Sequence, residues 1–108
     1  MRPGTNCADA PVVRNGKPSW LLNELGDGFT VLVFRALPSQ DLVRSGDVLV
    51  PVLAVGADLE DGQAWLERRY DGRPGTTYLI RPDHHVAARW RAFDPVQVEA
   101  AIARACGR

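Results

Sequence analysis

Tyr78-Leu79-Ile80-Arg81-Pro82-Asp83-His84-His85-Val86-Ala87-Ala88-Arg89-Trp90 reads as strand, tight turn, strand. Pro82 presets φ for the first central turn position, and Asp83 suits the second, where its carboxylate can accept backbone N–H groups. In a regular strand the adjacent His84 and His85 point to opposite faces, so they do not converge on one metal, and no third ligand of suitable type lies nearby. Along the second strand Val86, Ala88 and Trp90 are expected on one face and Ala87, Arg89 and Arg91 on the other. That gives an apolar face and a basic one. Its arginines discourage strand addition or pair with acidic groups across an interface.

Working outward, Phe29-Thr30-Val31-Leu32-Val33-Phe34 is a nearly continuous apolar run rich in β-branched and aromatic residues. Such a run predicts a central strand buried on both faces. Val48 to Val55 is apolar again, with Pro51 arguing for a strand that starts near Val52 or lies at an edge. Between them, residues 38–45 fit a short helix, with Ser39 as cap and Gly46 as stop. Upstream, Asn15-Gly16 marks a hairpin turn, and Ser19 can cap a short helix at residues 20–25 that Gly26 ends. Residues 63–70 fit another helix. The last helix is capped by Asp94, carries Pro95 in its first turn, and places Val98, Ala101, Ile102 and Ala105 on one stripe before Gly107.

The resulting order is β-hairpin, α, then β-α-β-α-β-β-α. A buried βαβ half followed by an antiparallel ββα half is expected to form a thioredoxin-like three-layer α/β/α sandwich around a central mixed sheet. Residues 1–11 read as a linker or N-terminal arm, and residues 12–108 as the domain.

The chain has 108 residues, 45% hydrophobic and 24% charged, with 13 basic and 13 acidic side chains. That neutrality argues against a general affinity for nucleic acid or an anionic membrane. No apolar run approaches the length of a membrane span, and the first residues lack the apolar core of a secretory signal, so the expected location is cytoplasmic. Cys7 and Cys106 lie near opposite ends, without a Cys-x-x-Cys pair. Gly26-Asp27-Gly28 precedes a strand and lacks a third glycine, so it is not a dinucleotide fingerprint. No catalytic, cofactor-binding or metal-binding residue is assigned. Trp20, Trp65 and Trp90 fall in amphipathic elements, and Arg68-Arg69 with Glu67 read as a solvated helix face.

These pieces, in order, resemble the C-terminal domain of FAD-dependent aromatic-ring hydroxylases of the phenol hydroxylase type, including 3-(3-hydroxyphenyl)propionate hydroxylase-like and polyketide-hydroxylase members. The likeness rests on Arg2-Pro3-Gly4 with Asp9-Ala10-Pro11, on the helix and strand from Leu21 to Phe34, and on Tyr78 to Asp83 followed by His85 to Trp90. The resemblance implies a thioredoxin-like domain without redox cysteines, packed on a larger body that holds FAD and substrate. FAD and NAD(P)H are therefore implied for the parent enzyme and not for this chain. The expected role is non-catalytic, serving stability and subunit assembly, with the FAD- and substrate-binding part of the parent as partner and a homo-oligomer as a further arrangement. Trp20, Arg89, Trp90 and Arg91 are the expected interface residues, from their amphipathic placement. A free-standing thioredoxin-fold module binding a small ligand or protein, and a thiol-dependent enzyme using Cys7 or Cys106, are the alternative readings.

Overall fold

All five residues of the strand from Thr30 to Phe34 are buried, as its composition requires. A computed structural model describes residues 3–107. In chain order the elements are β1 (Pro11–Arg14), β2 (Lys17–Trp20), α1 (Leu21–Glu24), β3 (Thr30–Phe34), β4 (Leu42–Ser45), β5 (Val48–Val55), α2 (Trp65–Arg69), β6 (Thr77–Ile80), β7 (Val86–Trp90) and α3 (Pro95–Ala105). The main sheet runs β4-β5-β3-β6-β7, and β1-β2 is a separate hairpin. β3 pairs parallel with β5 and antiparallel with β6, which makes the sheet mixed.

Period-2 alternation on β3 divides the core. Leu32 and Phe34 join Leu53, Tyr78, Ile80 and Val86 beneath α1 and α2. Val31 and Val33 join Val43, Val50, Val52 and Leu79 beneath the α3 residues Val98, Ala101 and Ile102. Helices thus cover both faces of the sheet, and the expected three-layer α/β/α class holds.

The element order needs one correction. Residues 38–45 form no helix, and Leu42–Ser45 is the edge strand β4. Val43 and Ser45 are buried while Leu42 and Arg44 are exposed, a period of two. Gly46, at φ 59, opens a two-residue turn with Asp47 and joins the Ser45↔Val48 pair. The glycine read as a helix stop is a hairpin turn. β5 includes Pro51: residues up to Pro51 pair with β4 and those from Val52 pair with β3. Pro51 stands at the changeover, one residue before the first β3 pair, where its missing N–H removes little.

Three smaller expectations also shift. Ser19 does not cap α1: its hydroxyl donates to Glu24 Oε2 at 2.7 Å, and the Leu22 N–H goes to Asp9 Oδ1 at 3.1 Å. α2 is shorter than expected, and Asp61 accepts the Leu66 and Glu67 N–H groups at 3.1 and 2.9 Å. In α3, Asp94 caps Val96 N–H at 3.0 Å as expected, but Ala105 is exposed.

Residues 4–7 lie along the start of β7. Gly4 N–H donates to Val86 O, Val86 N–H to Thr5 O and Cys7 N–H to His84 O. Ala10 is fully buried, and the Tyr70 hydroxyl donates to Ala8 O at 2.6 Å. Of the Arg2-Pro3-Gly4 segment, Arg2 lies outside the described residues.

Candidate functional site

The β6–β7 hairpin closes through a three-residue loop. His84 N–H donates to Arg81 O and Arg81 N–H to His85 O, both at 2.9 Å. Pro82 and Asp83 take the central positions, and His84 adopts the left-handed conformation at φ 62 that completes such loops. The histidines diverge. His84 Nε2 lies 3.3 Å from Gly26 O, and His85 Nδ1 lies 3.2 Å from Asp83 O. Slight desolvation of Asp83 would raise its pKa. The Arg81 hydrogen bond, the His85 N–H and the nearby charge outweigh it and hold the carboxyl below its usual range. Among the described residues no group of three His, Cys, Asp or Glu converges on a metal position.

A bulge opposite Leu79 and Ile80 changes the expected faces of β7 at Val86 and Ala87, while Ala88 and Trp90 lie opposite Arg89 as expected. Leu79 pairs with Ala88 and Ile80 with Val86, leaving Ala87 as the extra residue. Val86 therefore joins the α1/α2 side, whereas Ala87, Ala88 and Trp90 pack on the α3 side. Arg89 returns to the α1/α2 side, its guanidinium 5.5 Å from the Tyr78 ring centre.

Of the expected interface residues, Trp20 is 51% exposed. It flanks a groove of ≈ 380 Å³ with Trp65, Pro11, Pro18 and Val13. Trp65 is 39% exposed, and the Arg68 guanidinium sits 4.7 Å over its ring. The helix face read as merely solvated thus carries an aromatic–cation stack. Trp90 is half-buried against the α3 side. Arg89 and Arg91 line a separate cleft with Asp71, Arg73, Pro74 and Thr76. Sequence reasoning passed over Arg73, because no local spacing relates it to Arg89 and Arg91. Only the return of β7 along β6 brings them together.

The two thiols sit in unlike settings. Burial pushes the Cys7 thiol up, a hydrogen bond with Tyr70 partly opposes this, and Cys106 is exposed. Burial and then the neighbouring Cys7 push the Tyr70 phenol well up. β3 runs into Arg35, at φ 49, and on to β4, so no helix follows the first central strand. A groove of ≈ 450 Å³ lies at this carboxyl end of β3 and β5, and there Arg35 is paired with Glu67 at 2.6 Å.

No protein-family model and no curated protein matches the chain. Solved structures do share its fold. A ternary complex of aklavinone-11 hydroxylase with FAD and aklavinone aligns with a TM-score of 0.78 and 25% identity, over 98% of this chain and 21% of that one. The flavin-dependent monooxygenase PieE in complex with FAD and substrate aligns with a TM-score of 0.64 and 22% identity, over 94% of this chain and 19% of that one. The chain thus spans about a fifth of the length of these proteins. Nearly all of it has the fold of one part of FAD-dependent aromatic hydroxylases, the family its sequence resembles.

Proposed function

We propose that this chain is a non-catalytic domain of an FAD-dependent, NAD(P)H-using aromatic-ring monooxygenase, located in the cytoplasm and serving stability and assembly. The observation that carries the reading is the near-complete match of this chain to a fifth of a flavin-dependent hydroxylase. Residues 1–11 serve as a linker or N-terminal arm and residues 12–108 as the domain. FAD, nicotinamide and the aromatic substrate are held by the remaining body. Among the described residues no helix is long and apolar enough to cross a membrane.

Trp20 anchors the contact with that body, together with Trp65 across the groove. Two exposed indoles flanking two prolines form the kind of rigid, amphipathic patch that dominates protein interfaces. Trp90 acts mainly within its own domain, because its ring packs against the α3 side. Arg89 and Arg91 contribute at a different place, on the cleft beside the α2–β6 loop.

The test is co-purification. The reading requires a flavin-binding body encoded in the same or an adjacent frame. Expressed as two separate polypeptides, they should elute as one yellow species, and Trp20→Ala should release this chain colourless. Separate elution of the unsubstituted chain from every such flavoprotein would sink the reading.

A further inference from the structure

The cleft lined by Asp71, Arg73, Pro74, Thr76, Arg89 and Arg91 has a volume of ≈ 550 Å³. That falls within the range of small-molecule sites. Its charge is lopsided in a chain with 13 basic and 13 acidic residues. Three guanidiniums face one carboxylate. That carboxylate, on Asp71, lies 3.7 Å from Arg89 and is 72% exposed, a solvent-screened pair that offsets at most one of the three positive charges. Among the described residues neither Arg73 nor Arg91 has an ion-pair partner.

The cleft is also held in shape. Arg89 donates to Asp71 O at 3.0 Å and rests on the Tyr78 ring, so its guanidinium is oriented in advance. Arg73 N–H donates to Thr76 Oγ1 at 2.9 Å, Thr76 N–H to Arg73 O at 2.8 Å, and Gly75 N–H to Phe34 O at 2.7 Å. Arg91 follows β7, and its carbonyl would lie 3.1 Å from a Cβ placed on Gly75. The loop and the end of β7 are therefore at close quarters, and backbone contacts set the spacing of the positions that carry Arg73 and Arg91.

We propose that this cleft binds a phosphate-bearing small molecule. A phosphate group near neutral pH carries about −1.5 to −2 charges and several acceptor oxygens, which matches an excess of two guanidiniums. A single carboxylate would leave half of that excess unpaired. The volume leaves room for the organic part of an ester beside its phosphate. The cleft shares no residue with the Trp20–Trp65 groove, and its binding is testable on this chain without the flavoprotein body.

The test is calorimetric titration of the 108-residue chain with inorganic pyrophosphate at low salt, repeated on Arg73→Gln, Arg91→Gln and Asp71→Asn. One saturable site is expected. Each arginine substitution should weaken it about tenfold or more, the loss of a charge-assisted contact. Asp71→Asn should tighten it, because the competing carboxylate is removed. Added salt should weaken it. Thermal melts check that each variant is folded, and Arg73→Gln carries the test alone if the β7 substitution unfolds the chain. Absence of saturable heat up to about 10 mM ligand overturns the proposal. So does binding indifferent to both arginine substitutions. Tighter binding of a glutamate-rich peptide than of pyrophosphate also overturns it and assigns the cleft to an acidic protein surface.

Discussion

Cys7 and Cys106 differ by environment alone, and this decides what either thiol can do. Thiolate is the reactive form, and burial keeps Cys7 protonated further up the pH scale than a free thiol. Alkylation at neutral pH should therefore modify Cys106 readily and Cys7 slowly, as peptide mass mapping over time would report. Equal rates would contradict the burial of Cys7. The same shift has a stability consequence. Folded-state pKa values of Cys7 and Tyr70 are raised above their ordinary 9.0 and 10.0. The stabilisation of their protonated forms is thus fully present below those values and drains away as pH rises beyond them. Urea unfolding should show a constant midpoint from pH 7 to 8 and a falling one above about 9, the onset of thiol ionisation. At Gly72 the constraint is steric, since a Cβ there would sit 2.7 Å from Phe34 Cγ. Phe34 is itself wedged among Tyr70 and Tyr78, with ring centres 6.1 and 6.2 Å away. Gly72→Ala should cost about 1–3 kcal/mol, the range for overpacking a filled core, readable as a lowered denaturation midpoint.

Elements with a one-sided physical signature were legible before any coordinates. β3 announced itself by an unbroken apolar run, and α3 by its Asp94–Pro95 start and its Val98, Ala101, Ile102 stripe. Asp94→Ala should lower stability by about 1 kcal/mol through the lost Val96 N–H cap, measurable by thermal melting. β4 was illegible because four residues offer too few positions to separate a period of two from one of 3.6, and Gly46 serves a turn as well as a helix end. The β7 faces were misread at Val86 and Ala87, because a bulge there shifts the alternation by one residue and leaves no mark in Val86-Ala87-Ala88. The caps at α1 and α2 escaped for another reason. Asp9 and Asp61 reach their helices from outside the usual capping position. The arginine cleft shares that cause on a larger scale, since its members meet only through strand pairing.

At the scale of the whole molecule, exposure separates what holds the fold together from what the fold presents. Trp20 is half exposed, so Trp20→Ala should move the stability of the isolated chain by less than about 1 kcal/mol while abolishing capture by a flavoprotein body. A large loss of intrinsic stability would instead make Trp20 a structural residue. The family resemblance was visible in the sequence because it is spread over the whole chain in a fixed order, and the 98% coverage of the structural match reflects that spread. Finally, the pairing of residues 4–7 with His84 and Val86, and of Ala8 with Tyr70, bears on synthesis. Residues 4–7 meet these partners only after some eighty further residues have been made. Such closure over a long span is slow relative to local helix or hairpin formation. Until it happens, the outer edge of β7 is uncovered, and residues 4–7 depend on β7 to bring them into place.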